Sequence, residues 1–400
     1  MGDQTITPRP ASVTASPWVI ALASYCNMFC VGAVYGLSTI QLELPRLLSL
    51  DARFSFAPFA AACIGLSLGV GTCAPILCRI GARGTVASGT LLWGIGLVGA
   101  GHFLAASCFN ELLVSLLVGG IGVGWAYLSV IIMIGQAFPN QPLARSSIGP
   151  LGFSSGVGAC LVLRSYLEFG VLAQTLLGRY LQLGGFISLL VAISTITLLP
   201  DDLPLLKTSS RERNRASYGS WAIFSTLLFF NALPGMTLFA GLLPMALSLD
   251  GQGTAAALPY SMIALALGGF LAQSVTGLLG SKRSFVILFG LRGLLLLKFA
   301  QSSSSAIATL AHSAILFGHG TGFSVLPGLA KRLSPDTTSF TRSYGQILVV
   351  WGFAGVAGSL LCSLYDPLSE GPAVLGQLFG FMAIFSSALL YVSPLEDYLD

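Results

Sequence analysis

Charged side chains are scarce in this sequence: Lys and Arg number 19 and Asp and Glu 15 in 400 residues, 8% of the chain. Soluble proteins carry roughly 25%, and a water-facing shell cannot be built from so few, which excludes a soluble enzyme core. The net charge of +4 is small, and the basic residues stand singly or in pairs without interleaved aromatics, so nucleic acid is excluded as a partner. No Asn-x-Ser/Thr site occurs, so glycosylation gives no sign of a secretory route. The eight cysteines lie in or beside apolar runs rather than in spaced polar clusters, and read as packing residues, not a disulfide or zinc framework. No metal-ligand, serine-triad or paired-carboxylate constellation is present, so neither an enzyme nor a cofactor or metal is expected. Residues 1–17 are polar and lead into an apolar run that continues past the length of a signal-peptide core, so no cleaved leader is expected, and position six lacks the Ser or Thr of a myristoylation signal.

What the sequence does have is apolar length. Hydrophobic residues make up 54% and the mean hydropathy is +0.83. At roughly 20 residues per crossing the chain has room for about twelve spans. The runs lack the ten-residue alternation of a membrane barrel, so the spans are expected as helices. They are placed at 18–42, 54–78, 85–107, 111–136, 146–168, 178–199, 218–248, 254–280, 283–301, 303–328, 341–365 and 373–394. The expected division is a tail 1–17, a six-helix bundle 18–199, a charged linker 200–217, a second bundle 218–394 and a tail 395–400. Lys and Arg concentrate in alternate connections: Arg79, Arg83, Arg145, Lys207, Lys282, Arg283, Lys331 and Arg332 fall on the same side as the N-terminus. Cytoplasmic loops accumulate these residues, so both termini are expected in the cytoplasm. Internal matches recur at nearly one offset. Gly81-Ala82-Arg83 returns as Gly280-Ser281-Lys282, Gly122-Val123-Gly124 as Gly320-Thr321-Gly322, and Gly152-Phe153 with Gly158 as Gly352-Phe353 with Gly358. The chain reads as a duplicated six-helix unit.

Six plus six helices, a charged central loop and a basic turn after spans 2 and 8 resemble the major facilitator superfamily over residues 18–394. Tyr35-Gly36, Gly122-Val123-Gly124-Trp125-Ala126-Tyr127, Phe138-Pro139-Asn140, Gly152-Phe153, Tyr344-Gly345 and Gly352-Phe353-Ala354-Gly355 are similar to its oxalate/formate antiporter and monocarboxylate transporter branch. The resemblance implies an all-α membrane protein, two pseudo-symmetric six-helix bundles around a central cavity, and transport by alternating access. It also exposes departures. The superfamily's Asp-Arg-x-Gly-Arg turn is here Cys78-Arg79-Ile80-Gly81-Ala82-Arg83, so the acid of its Asp–Arg latch is missing, leaving Arg79 and Arg83 as gating or structural residues. Where the oxalate-type branch has an Arg in span 8 and a Lys in span 11, the aligned positions hold Gln273 and Trp351. A doubly charged anion would lack partners in low dielectric, which points instead to a monoanionic, zwitterionic or neutral solute.

Superfamily helices 1, 4, 7 and 10 line the cavity, with help from 2, 5, 8 and 11. Asn27, Val31, Tyr35 and Ser38 share one helical stripe of span 1. Asn231 stands near an expected break at Pro234-Gly235, and His319 between Gly318 and Gly320. With Tyr127, Gln273, Tyr344 and Trp351 these are the candidate substrate contacts. For the two Asn the alternative is interhelical hydrogen bonding, and for His319 a packed, satisfied ring. Arg292, mid-span in a peripheral helix, costs at least about 2.5 kcal/mol to bury and reads as structural, bonded to a neighbouring helix. Arg164 and Glu168, four residues apart at an outer helix end, have the spacing of an external gate, or of a solvated helix end. The expected partners are a small organic solute, most of all a monocarboxylate-like anion, and the lipid bilayer; a monomer is expected. The competing reading is a receptor-like or scaffolding protein of the same fold that transports nothing.

Overall fold

In lipid a backbone N–H or C=O without a partner costs several kcal/mol, so apolar runs close their hydrogen bonds within helices. The computed structural model of the chain describes residues 16–41, 43–165, 173–199, 218–248, 257–300, 305–334, 337–365 and 371–393. Among them there is no strand. The helices are α1 (Pro17–Gly32), α2 (Ser38–Gln41), α3 (Leu44–Leu48), α4 (Ala57–Ala105), α5 (Phe109–Ala137), α6 (Pro142–Ser165), α7 (Ala173–Leu198), α8 (Tyr218–Ser248), α9 (Ala257–Leu279), α10 (Ser281–Phe299), α11 (Ser305–Arg332), α12 (Thr337–Leu364) and α13 (Gly371–Val392). All the expected spans are present, with ends displaced by a few residues. The first bends: α1 ends at Gly32, a 3-10 turn covers Ala33–Leu37, and α2 continues. Spans 2 and 3 together form α4, broken at Gly81. Large apolar side chains, Leu190, Leu278, Leu291, Phe381 and Tyr391 among them, stand exposed around the outside, where the acyl chains lie. The linker 200–217, both tails and Glu168 lie outside the described residues, and so does the side chain of Arg164.

The sequence duplication has a backbone counterpart. Gly81 (φ 71°, ψ 176°) and Gly280 (φ 79°, ψ 152°) both adopt a conformation open essentially to glycine, and each turns one span into the next on the basic face. Two residues after each, a cation reaches the last turn of its own half. Arg83 Nη1 donates to Ile196 O (3.1 Å) and Leu199 O (2.9 Å) at the end of α7, and Lys282 Nζ donates to Ser393 O (3.3 Å) just beyond α13. These are the carbonyls a helix leaves without internal partners. Packing repeats as well: Gly120 lies against Ala62 O, and Gly320 against Leu265 O, so close that any side chain would collide with backbone. Span 4 thus packs on span 2, and span 10 on span 8.

The expected break at Pro234-Gly235 does not occur. The α8 helix runs through it and departs from helical geometry at Gly241 instead (φ −129°, ψ 17°). Proline inside a helix removes the hydrogen bond to the carbonyl four residues back, here Phe230, and that carbonyl finds another donor, described below.

Candidate functional site

A cavity of about 410 Å³ lies between the halves. Its wall comes from Tyr127 and Gln136 of α5, Arg145, Ser146 and Phe153 of α6, Gln273 of α9, Phe323, Lys331 and Arg332 of α11, and Phe340 of α12. All sit in the halves of their helices nearer the basic face, where Arg145, Lys331 and Arg332 ring the mouth. No Asp or Glu is among the described lining residues. Ser324 donates to Ser146 O (2.8 Å), joining α11 to α6 beside the cavity. Gln136 carries an amide whose oxygen and nitrogen both lack a hydrogen-bond partner.

At its deep end the cavity stops on an aromatic layer supplied by both halves. Tyr35 is fully buried, stacks on Phe239 (4.0 Å between centroids) and meets the edge of Phe153 (4.9 Å). Trp351 packs on Tyr127 and on Phe323 (5.0 Å each), and Phe323 stands perpendicular to His319 at 4.9 Å. Two hydrogen bonds cross this layer. Trp351 Nε1 donates to Tyr35 Oη (2.9 Å), and the same hydroxyl shares a hydrogen bond with His319 Nε2 (2.9 Å), whose direction follows the imidazole tautomer. The 3-10 turn makes it possible by carrying Tyr35 off the face of α1 towards the second half.

Beside the layer, among α5, α8, α11 and α12, is a void of about 20 Å³, room for one water-sized group, lined by Tyr127, Asn231, His319, Phe323, Tyr344 and Trp351 among others. The Tyr127 and Tyr344 hydroxyls interact with each other. Asn231 Oδ1 accepts from Arg292 Nη1 (3.0 Å). Glycines make the room: the Asn231 amide occupies the space of a missing Cβ at Gly322, the His319 ring that at Gly235, and the Arg292 guanidinium that at Gly318.

Of the residues singled out from sequence, Tyr127, Asn231, His319, Tyr344 and Trp351 come together at this inner void, with Tyr35 bonded to two of them. Gln273 lines the larger cavity. Asn27 does not join them, because the stripe that linked it to Tyr35 ends with α1. Its amide accepts from Thr90 (2.6 Å) and donates to Thr195 (2.7 Å), tying spans 1, 3 and 6 in the manner of its alternative reading. Arg83 secures α7, Arg79 is exposed, and Arg292 bonds α8 from α10. Sequence reasoning missed the structural roles of Phe239 and Phe323, and missed Gln136 and the cations of the mouth. Phe323 was within reach, four residues after His319 and so on the same helical face.

No protein-family model and no curated protein matches the chain by sequence. Among solved structures, a D-xylose–proton symporter aligns with a TM-score of 0.77, covering 96% of this chain and 98% of that one at 14% identity. The FucP transporter of the major facilitator superfamily, in its outward conformation, gives 0.61 over 92% and 99% at 14% identity. The chain has the major facilitator fold. The human organic anion transporter MFSD10 aligns at 0.66 over 96% and 100%, at 15% identity. Identities this low establish shared architecture, and the major facilitator frame accounts for the paired glycine turns and for a cavity between the halves.

Proposed function

We propose that the chain is a transporter, secondary or facilitative, that moves a small monoanionic organic solute of the monocarboxylate type by alternating access of its halves, 18–199 and 218–394. The observation that carries this reading is the cavity of about 410 Å³ between the halves, with Arg145, Lys331 and Arg332 among its lining and no acid among the described lining residues. That volume suits a small organic solute, and cations along the path favour an anionic one. Gln136 and Gln273 supply neutral donors and acceptors along the wall, and the aromatic layer supplies an apolar stop. The neutral residues at positions 273 and 351 fit one negative charge on the solute better than two. The basic face is the cytoplasmic one on this reading, with both termini there, and a single chain encloses the whole path. The scaffolding alternative calls for a filled interior, and the cavity speaks against it. Purified protein in vesicles, offered labelled monocarboxylates, a dicarboxylate and a neutral sugar, is expected to show saturable monocarboxylate uptake. Folded protein that moves none of them overturns the transport reading, and movement of the sugar alone overturns the choice of solute.

A further inference from the structure

Arg292 is 2% exposed, yet no carboxylate among the described residues answers it. Its contacts are Asn231 Oδ1 at 3.0 Å, Phe230 O at 3.5 Å and the face of Phe289 at 5.0 Å, and its Nε has no partner at all. The acids among the described residues are Glu43, Asp51 and Glu111, all close to the ends of spans away from the basic face, and the first two pair with Arg46 and Arg53. The fold nevertheless makes a place for this cation. Pro234 frees the Phe230 carbonyl that Arg292 Nη2 approaches, and Gly318 leaves the space its guanidinium fills. A buried charge held by neutral groups alone is costly, and within a membrane such a residue marks a place where a counter-charge arrives.

Asn231 connects Arg292 to the path. Its oxygen takes the Arg292 proton, which leaves the NH2 half of the amide to lie against Gly322, beside the inner void that Asn231 and Gly322 both line. Tyr127 and Phe323 line both that void and the larger cavity, so the two spaces share a wall. We infer that the solute's anionic end docks at the inner void, with one carboxylate oxygen entering its water-sized space, and that Arg292, acting through Asn231, supplies the positive charge that neutralises it. Arg292 is thus a charge-supplying residue that does not itself touch solute, and it takes over the task left open by neutral Gln273 and Trp351.

The inference rests on the transport reading, and the test separates the two. Vesicle uptake of a labelled monocarboxylate and of its uncharged amide is compared for the unaltered chain, Arg292→Gln, Arg292→Lys and Asn231→Asp. One charge acting across an amide at an effective dielectric of about 20 corresponds to roughly thirtyfold in affinity. Arg292→Gln is therefore expected to raise the KM for the monocarboxylate roughly thirtyfold and to leave the amide unaffected, with partial recovery in Arg292→Lys. Asn231→Asp keeps Arg292 and gives it a resident counter-charge, so it is expected to fold and to lose monocarboxylate uptake selectively, which guards against a folding defect in Arg292→Gln. Unchanged KM in Arg292→Gln, equal loss of both solutes, or full monocarboxylate uptake by Asn231→Asp overturns the inference and leaves the transport reading standing. If the unaltered, folded chain moves neither solute, the transport reading falls and the inference with it.

Discussion

Replacing Tyr35 with Phe removes one oxygen and keeps the ring that stacks on Phe239 and abuts Phe153. That oxygen joins the first half to two helices of the second, accepting from Trp351 Nε1 and hydrogen-bonded to His319 Nε2, each at 2.9 Å and each buried. Without it the indole N–H has no acceptor and the imidazole Nε2 loses its partner. A buried polar group left unsatisfied costs about 1–3 kcal/mol, so the arrangement with the aromatic layer closed loses about 2–6 kcal/mol. Even the lower figure shifts a two-state equilibrium by roughly thirtyfold. If the bridge belongs to the arrangement open on the basic face, Tyr35→Phe populates the opposite one. Single cysteines in the layer's far side, introduced for example at Phe56, are then labelled faster by a water-soluble maleimide, and labelling at Gln136 slows. The double variant Tyr35→Phe, Trp351→Phe removes donor and acceptor together and is expected to recover part of the loss. Labelling rates within a factor of two of the parent, with an unchanged melting temperature, refute the assignment of the bridge to one state.

Arg83→Ala strips the two carbonyls closing α7 of a charged donor and is expected to cost about 1–3 kcal/mol, read as faster amide exchange in the last turn of α7; Lys282→Ala, which loses one longer bond, moves α13 less. Gly120→Ile drives a branched side chain into the Ala62 carbonyl and is expected to prevent close packing of spans 2 and 4, read as loss of the folded monomer in detergent. Hydrogen bonds from the Arg53 side chain, and then from its backbone N–H, hold the Asp51 carboxyl down to about 2. A depressed carboxylate stabilises above its ordinary value and loses that effect only as pH falls through the folded one, here from about 3.8 down to about 2, so an NMR titration is expected to find Asp51 ionised throughout pH 5 to 8. Any pH dependence of uptake in that range then comes from other groups.

The spans were legible because lipid leaves a chain few choices: apolar length and the scarcity of charge determine helix number, and span 7 was placed at the very residues that α8 occupies, 218–248. Glycine turns were legible for a related reason, since the conformations at Gly81 and Gly280 exclude most side chains. Side-chain direction was not. The stripe from Asn27 to Tyr35 assumed one continuous α-helix, whereas the 3-10 turn at Ala33–Leu37 sends Tyr35 to His319 and leaves Asn27 to Thr90 and Thr195. Pro234-Gly235 looked like a break because proline removes a hydrogen bond, but the freed Phe230 carbonyl faces Arg292 from another helix. Such partners are hundreds of atoms away along the chain and cannot be read from local pattern. The mouth of the cavity escaped notice for the same reason: Arg145, Lys331 and Arg332 read as loop charges until α6 and α11 are seen to converge.

The missing acid at position 78 also bears on the transport cycle proposed above. Where the superfamily pairs Asp with Arg across the basic face, this chain turns the corresponding Arg83 inward to α7 of its own half, and Lys282 likewise to the end of α13. Each of these contacts ties a cation to its own half, on the face where the cavity opens. Nearer the middle the halves meet where Gly352 and Gly355 of α12 press on Cys63 and Ser67 of α4, Ser67 donates to Val349 O (3.1 Å), and Tyr35 spans to His319 and Trp351. Adding an acid at position 78 therefore tests the division of labour. In Cys78→Asp the new carboxylate competes with the α7 carbonyls for Arg83. A pair made at the surface contributes little, about 0–1 kcal/mol, so the expected change is modest: slower labelling of a cysteine at Gln136, at most about fivefold, with transport reduced in the same proportion. Faster labelling there would mean that the basic turn restrains the halves already, and that the latch was rebuilt rather than lost.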